Sequence, residues 1–158
     1  METIIITAAN TRNNGNPDQK SGCAWDLFHY DDEGRTGRRT ISQPLGNCTL
    51  PLAQVNVARL GLASIVKKFR KHKVTLLVST YVHDILVGGK QPKKNKDEID
   101  ELRRWVAYFT DLKVELVPQT RKDSELQELA KECAKEQVQS DTGTNVQGKE
   151  DSNRLAPI

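Results

Sequence analysis

Apolar and polar residues alternate along this chain in a way that marks out five strands and four helices. Ile4, Ile5 and Ile6 form a β-branched run suited to a buried central strand, and a loop of small and polar residues follows from Ala8 to Pro17. Cys23–Tyr30, aromatic-rich and partly polar, predicts a second strand opening at Gly22, antiparallel to the first with one face on the core. After the acidic turn Asp31-Asp32-Glu33-Gly34, Arg38–Ile41 predicts a third strand completing a meander, and Ser42–Cys48 a loop. Thr49 is placed to cap a helix with Pro51 in its first turn, and Leu52, Val55, Leu62, Ile65, Val66 and Phe69 recur at helical spacing, carrying that helix to about Phe69. Val74–Val78 is a continuous apolar run after a helix. It predicts a strand buried on both faces, reached by a crossover and parallel to the first.

Tyr81–Val87 then predicts a short helix stopped by Gly88-Gly89, with a basic loop over Lys90–Lys96. Asp97–Phe109 is the next helix, its acids first and Arg103-Arg104 later, with Ile99, Leu102, Val106 and Phe109 as the core stripe. Lys113–Val117 alternates as a last strand ended by Pro118, and a helix of about Asp123–Gln137 carries Leu126, Leu129, Ala130 and Cys133 on one side. The order describes one α/β domain over 1–138 with a five-stranded mixed sheet, three antiparallel strands and then two more, flanked by helices. Residues 139–158, polar and aperiodic, read as a flexible tail.

Composition adds less than distribution. The longest apolar run is far too short to cross a bilayer, so no membrane partner is expected, and Met1-Glu2-Thr3 leads into a strand without a basic-then-apolar leader, which predicts an intracellular site, cytoplasmic or nuclear. Cys23, Cys48 and Cys133 are odd in number and widely spaced, which fits buried free thiols better than disulfides or a zinc ribbon. His29, His72 and His83 lack ligand spacing and read as surface or packing residues. A net charge of +3 is too small to establish a polyanionic partner. Lys67, Lys68, Arg70, Lys71 and Lys73, however, crowd the end of the first long helix, where cations complement the macrodipole; a nucleic-acid site is the alternative.

The stretch Thr7-Ala8-Ala9-Asn10, then Gly15-Asn16-Pro17, then Ser21-Gly22-Cys23-Ala24-Trp25 resembles type 1 ribonuclease H. There the first strand enters a Thr-Asp-Gly-Ser turn, followed by a Gly-Asn-Pro loop and a glycine-led second strand. The resemblance covers about Ile4–Gln137 and implies the ribonuclease H-like fold. It also places the family's catalytic carboxylates on Ala8, on Gln54 within Ala53-Gln54-Val55, on Ser79 within Val78-Ser79-Thr80-Tyr81-Val82, and on Gln127 within Leu126-Gln127-Glu128-Leu129-Ala130. The loop before the last helix, Pro118–Lys122, is shorter than the family's and has no histidine.

Two-metal phosphodiester hydrolysis requires anionic oxygens converging on Mg²⁺ ions roughly 4 Å apart, and Ala8, Gln54, Ser79 and Gln127 supply none. The resemblance thus implies a catalytically inactive member with no cofactor, acting as a nucleic-acid-binding or scaffolding module. An active enzyme would need Mg²⁺ and displaced acids such as Asp26, Asp84, Glu125 or Glu128, most of which periodicity aims away from Ala8. The family's contacts to ribose hydroxyls and phosphates fall on Asn10, Gly15, Asn16 and Pro17, and its basic protrusion falls on Lys90, Lys93, Lys94 and Lys96. An RNA–DNA hybrid or RNA duplex is the expected partner. A protein-interaction subunit of a reverse transcriptase or ribonucleoprotein assembly is the alternative.

Overall fold

A computed structural model describes residues 1–118 and 125–136. The proposed tail, 139–158, lies outside the described residues. Strands β1 (Glu2–Arg12), β2 (Lys20–Tyr30) and β3 (Thr36–Gly46) form the meander, and helix α1 (Leu50–Ala63) crosses over to β4 (Lys73–Val78). Helices α2 (Thr80–Leu86) and α3 (Lys96–Ala107) lead to β5 (Asp111–Leu116), and α4 (Glu125–Glu136) is the last described element. The sheet order is β3-β2-β1-β4-β5, antiparallel across the meander and parallel from β1 through β4 to β5.

The meander is longer than periodicity suggests. Ala8 to Arg12, expected as loop, continues β1, because β2 pairs with it without a break from Glu2↔Tyr30 to Arg12↔Lys20. β3 extends to Gly46 past a register shift at Ser21/Gly22, with Pro44 tolerated on an edge strand. The first long helix is shorter. It stops at Ala63, where the Ser64 amide meets the Leu60 and Gly61 carbonyls and the Ser64 hydroxyl donates to Gly61 and accepts the Trp25 indole N–H at 3.1 Å. The chain then leaves through extended Val66 into a 3₁₀ turn, Lys67–Phe69, so Ile65 and Phe69 enter the core from a connector and not from a helical stripe.

Cross-strand pairing sorts the sheet into two faces. Ile5, Trp25, Leu27 and Leu76 pack beneath α1, whereas Ile6, Ala24, Leu126 and Ala130 form a smaller cluster beneath α4. Since α4 alone covers the second face among the described residues, Thr75 and Leu77 of β4 are only half-buried, against the expectation of burial on both faces. Gly22 explains how α4 sits so close. A Cβ there would collide with the Ala130 carbonyl, the Ala134 amide and the Cys133 Cβ, so backbone rests on backbone. The three thiols are free and buried, and burial pushes the Cys23 pKa well up.

Candidate functional site

The C-terminal ends of β1 and β4 diverge beside the starts of α1, α2 and α4, and a cleft of about 770 Å³ opens there. Ala8, Gln54, Ser79 and Gln127, brought from four elements as far apart as 8 and 127 in sequence, all line it, together with Asn10. No charged side chain lines it among the described residues.

Each position is fitted to its place by uncharged chemistry. Ala8 faces α4, its methyl against the cluster of Ile6, Ala24, Leu126 and Ala130. The Gln127 Nε2 donates to the Ala9 carbonyl at 2.9 Å and joins α4 to β1. Ser79 is the N-cap of α2, its hydroxyl accepting the Val82 amide, and Thr7 donates to the Leu77 carbonyl at 2.8 Å to hold β1 to β4. Gln54 lies on the first turns of α1, half-buried.

A Mg²⁺ pair does not fit this donor set. Hard dications require several anionic oxygens, and the cleft presents a methyl, two neutral carboxamides and a hydroxyl, of which one carboxamide and the hydroxyl are already engaged. No three His, Cys, Asp or Glu side chains converge into a metal-binding group among the described residues. Asp26 does share a sheet face with Ala8, since it pairs with Ile6, but its buried carboxylate accepts the Thr40 hydroxyl at 2.5 Å and Arg38 Nη2 at 3.4 and 3.5 Å. Asp84 is half-buried on α2, and Glu125 and Glu128 are exposed on the first turn of α4.

The expected duplex-contacting residues divide into two groups. Asn10 is a strand residue at the cleft, opposite Gly22, not a loop residue. The β1–β2 turn reverses through Asn13 (φ 54°) and Gly15 (φ 92°) and carries exposed Asn16 and Pro17. Two of its backbone groups are already occupied: the Gly15 amide donates to Gln19 Oε1 at 2.9 Å, and Asn47 Nδ2 donates to the Pro17 carbonyl at 2.9 Å. That leaves the side chain of Asn16 to reach outward. Asn14, Gln19 and Asn47, which periodicity passes over, lock the turn to α1, with the Leu50 amide donating to Asn14 Oδ1 at 3.0 Å and Gln19 Nε2 to Asn47 Oδ1 at 3.0 Å. A surplus of short amides was the visible signal; their pairing across some thirty residues was not.

Lys90, Lys93, Lys94 and Lys96 are exposed and pair with no carboxylate among the described residues. Their loop is steadied by Arg103 Nη2 on the Lys90 carbonyl at 3.2 Å and by Asn95 in the left-handed region (φ 64°) before α3. It begins beyond the end of α2 that points away from the cleft, and seven helical residues set that separation at roughly 10 Å. The lysines thus form a patch of their own.

The chain aligns in three dimensions with the N-terminal ribonuclease H domain of a Mycobacterium tuberculosis protein at TM-score 0.71 and 19% identity, covering 88% of this chain and 97% of that one. It aligns with a type 1 ribonuclease H from the archaeon Halobacterium salinarum at TM-score 0.66 and 16% identity, covering 86% and 99%. This is the ribonuclease H fold. A type 1 ribonuclease H in complex with an RNA/DNA hybrid is similar as well (TM-score 0.68, 18% identity, 86% and 99% covered). So is a foamy viral protease-reverse transcriptase in complex with an RNA/DNA hybrid (0.63, 14%), where the match takes in 84% of this chain and 20% of that one. No family model and no curated protein matches the sequence.

Proposed function

We propose that this chain is a catalytically inactive module of the ribonuclease H fold that binds RNA-containing duplexes. The observation that carries this reading is the cleft, where Ala8, Gln54, Ser79 and Gln127 meet and no described carboxylate does. Two-metal hydrolysis has no ligands there, while the uncharged cleft no longer repels phosphates, so loss of chemistry and retention of binding are compatible. Asn10 and Asn16 suit ribose hydroxyls, and the unpaired lysines of the α2–α3 loop suit backbone phosphates; neither contact carries base identity. Two of the similar structures, by their own description, hold an RNA/DNA hybrid.

A non-binding scaffold role is the second reading, favoured by the foamy viral neighbour, in which the matching region is a small part of a larger protein. A gel-shift panel of RNA–DNA hybrid, RNA duplex and DNA duplex, run beside cleavage assays in Mg²⁺ and Mn²⁺, tests both. The expected result is binding of the hybrid, weakened by replacing Lys93, Lys94 and Lys96 with alanine, and no cleavage. Asn16→Ala should erode mainly the preference for RNA over DNA, by about 0.5–1.5 kcal/mol. Cleavage abolished by Asp26→Asn or Asp84→Asn would establish a displaced active site instead. Equally poor hybrid binding by the wild type and the triple-lysine variant would favour the scaffold.

A further inference from the structure

The basic run after α1 has lost the explanation that the sequence offers for it. α1 ends at Ala63 with no basic residue in its last turn, so Lys67, Lys68, Arg70, Lys71 and Lys73 do not complement its dipole. They occupy the 3₁₀ turn, the connector after it and the first residue of β4. The four lysines are exposed and pair with no carboxylate among the described residues. Arg70 is half-buried. Its Nε donates to the Ile65 carbonyl at 3.1 Å and its guanidinium lies 5.1 Å from the centre of the Trp105 ring, yet no described carboxylate offsets its charge. Trp105 in turn meets Tyr108 edge-on at 5.4 Å, and Tyr108 is 63% exposed at the end of α3. The Thr110 amide bonds the Arg70 carbonyl, fixing the α3 end against the basic connector. Glu2 and Asp111 flank Lys73 in the sheet and are the nearest acids by register, fewer than the cations around them.

We infer that this end of the domain is a second nucleic-acid surface, one that takes a single strand: exposed Tyr108, backed edge-on by half-buried Trp105, offers a stacking platform for a base, and Arg70 with the surrounding lysines offers charge for the backbone. An exposed aromatic beside cations that no carboxylate offsets suits sequence-tolerant single-strand binding, since every base has a π-face and every nucleotide a phosphate. A duplex, its bases stacked internally, would leave Tyr108 unused. The surface is separate from the cleft. β4 enters here at Lys73 and reaches the cleft at Val78, roughly 17 Å along the strand. A hybrid with a single-stranded extension could therefore be held at both ends of one domain, and the inference stands whether or not the cleft binds a duplex.

The test is fluorescence anisotropy with the full chain and three labelled probes: a 15-nucleotide oligouridylate, the corresponding oligothymidylate and a blunt RNA–DNA hybrid. Both single strands should bind. Lys68, Lys71 and Lys73 changed together to alanine should flatten the log–log salt dependence for single strands by about 2 units. Tyr108→Ala should weaken single-strand binding roughly 5- to 100-fold, and Tyr108→Trp should preserve it. Because these side chains are exposed, the variants should keep the wild-type melting temperature, and replacing Lys93, Lys94 and Lys96 should leave single-strand affinity unchanged. Wild-type single-strand affinity in the Tyr108→Ala variant would overturn the inference. So would a tyrosine-insensitive affinity for polyglutamate matching that for the oligonucleotides, which would mark the patch as a surface for acidic protein.

Discussion

At position 127 a carboxamide does what a carboxylate cannot, because its nitrogen donates to the Ala9 carbonyl and ties α4 to the sheet. Ser79 likewise caps α2, and Ala8 fills apolar space under α4. These side chains contribute to the fold at the positions where the family resemblance puts catalysis. His29 is another residue whose chemistry is set by its surroundings. The ring is 2% exposed, packs edge-on against Phe69 at 4.2 Å and shares a hydrogen bond with Thr3 Oγ1 at 2.6 Å. Burial lowers its pKa from the usual 6.5, and the Glu2 backbone bond opposes this more weakly. With the folded value below the unfolded one, the unfolded chain binds the extra proton first. Stability from this group is therefore complete above about pH 6.5 and declines as pH falls from there through the folded pKa. Urea denaturation at pH 7.5 and 5.5 should show a loss in the wild type that is smaller in His29→Gln. Equal losses would mean that the ring does not stay neutral in the folded protein.

At the scale of elements, the strands were legible in type and less so in length. Ile4–Ile6 announces itself as a β-branched run and Val74–Val78 as an apolar run after a helix. Ala8–Arg12 does not, because the pairing that extends β1 comes from β2 and not from its own residues. The end of α1 was illegible for a related reason. Ile65 and Phe69 continue a helical spacing, yet the Ser64 hydroxyl, bonded to Gly61 and to the Trp25 indole 39 positions upstream, ends the helix before them. The α4–β2 contact rests on Gly22, whose role is invisible until α4 is seen above it. Gly22→Ala should cost about 3 kcal/mol or more, because its methyl meets backbone that cannot step aside. Gly34→Ala is the comparison. There the backbone is left-handed (φ 83°) with open space around it, and the cost should be near 1 kcal/mol. Midpoints of denaturation for the pair measure the difference, and similar losses would mean that α4 does not rest directly on β2.

Across the whole molecule, the resemblance carried by Thr7–Trp25, together with an element order of meander and crossover, anticipated the ribonuclease H fold, but a cleft joining positions 8, 54, 79 and 127 exists only once β1, β4, α1 and α4 are assembled. That assembly permits a test by restoration. Placing aspartate at 8, 79 and 127 and glutamate at 54 would gather four carboxylates in one cleft, where mutual repulsion disfavours the folded state until a dication binds. Without Mg²⁺ the quadruple variant should melt below the wild type, both from this repulsion and from loss of the Gln127 bond to Ala9. With Mg²⁺ it should recover by linkage: at ten times the dissociation constant, binding restores about 1.4 kcal/mol. Potassium chloride at equal ionic strength screens the charges without bridging them, so it should recover less and should not saturate. The wild type should show no saturable response to Mg²⁺, and a Mg²⁺-specific rise in its melting temperature would mean that carboxylates other than those at the four positions form a metal site.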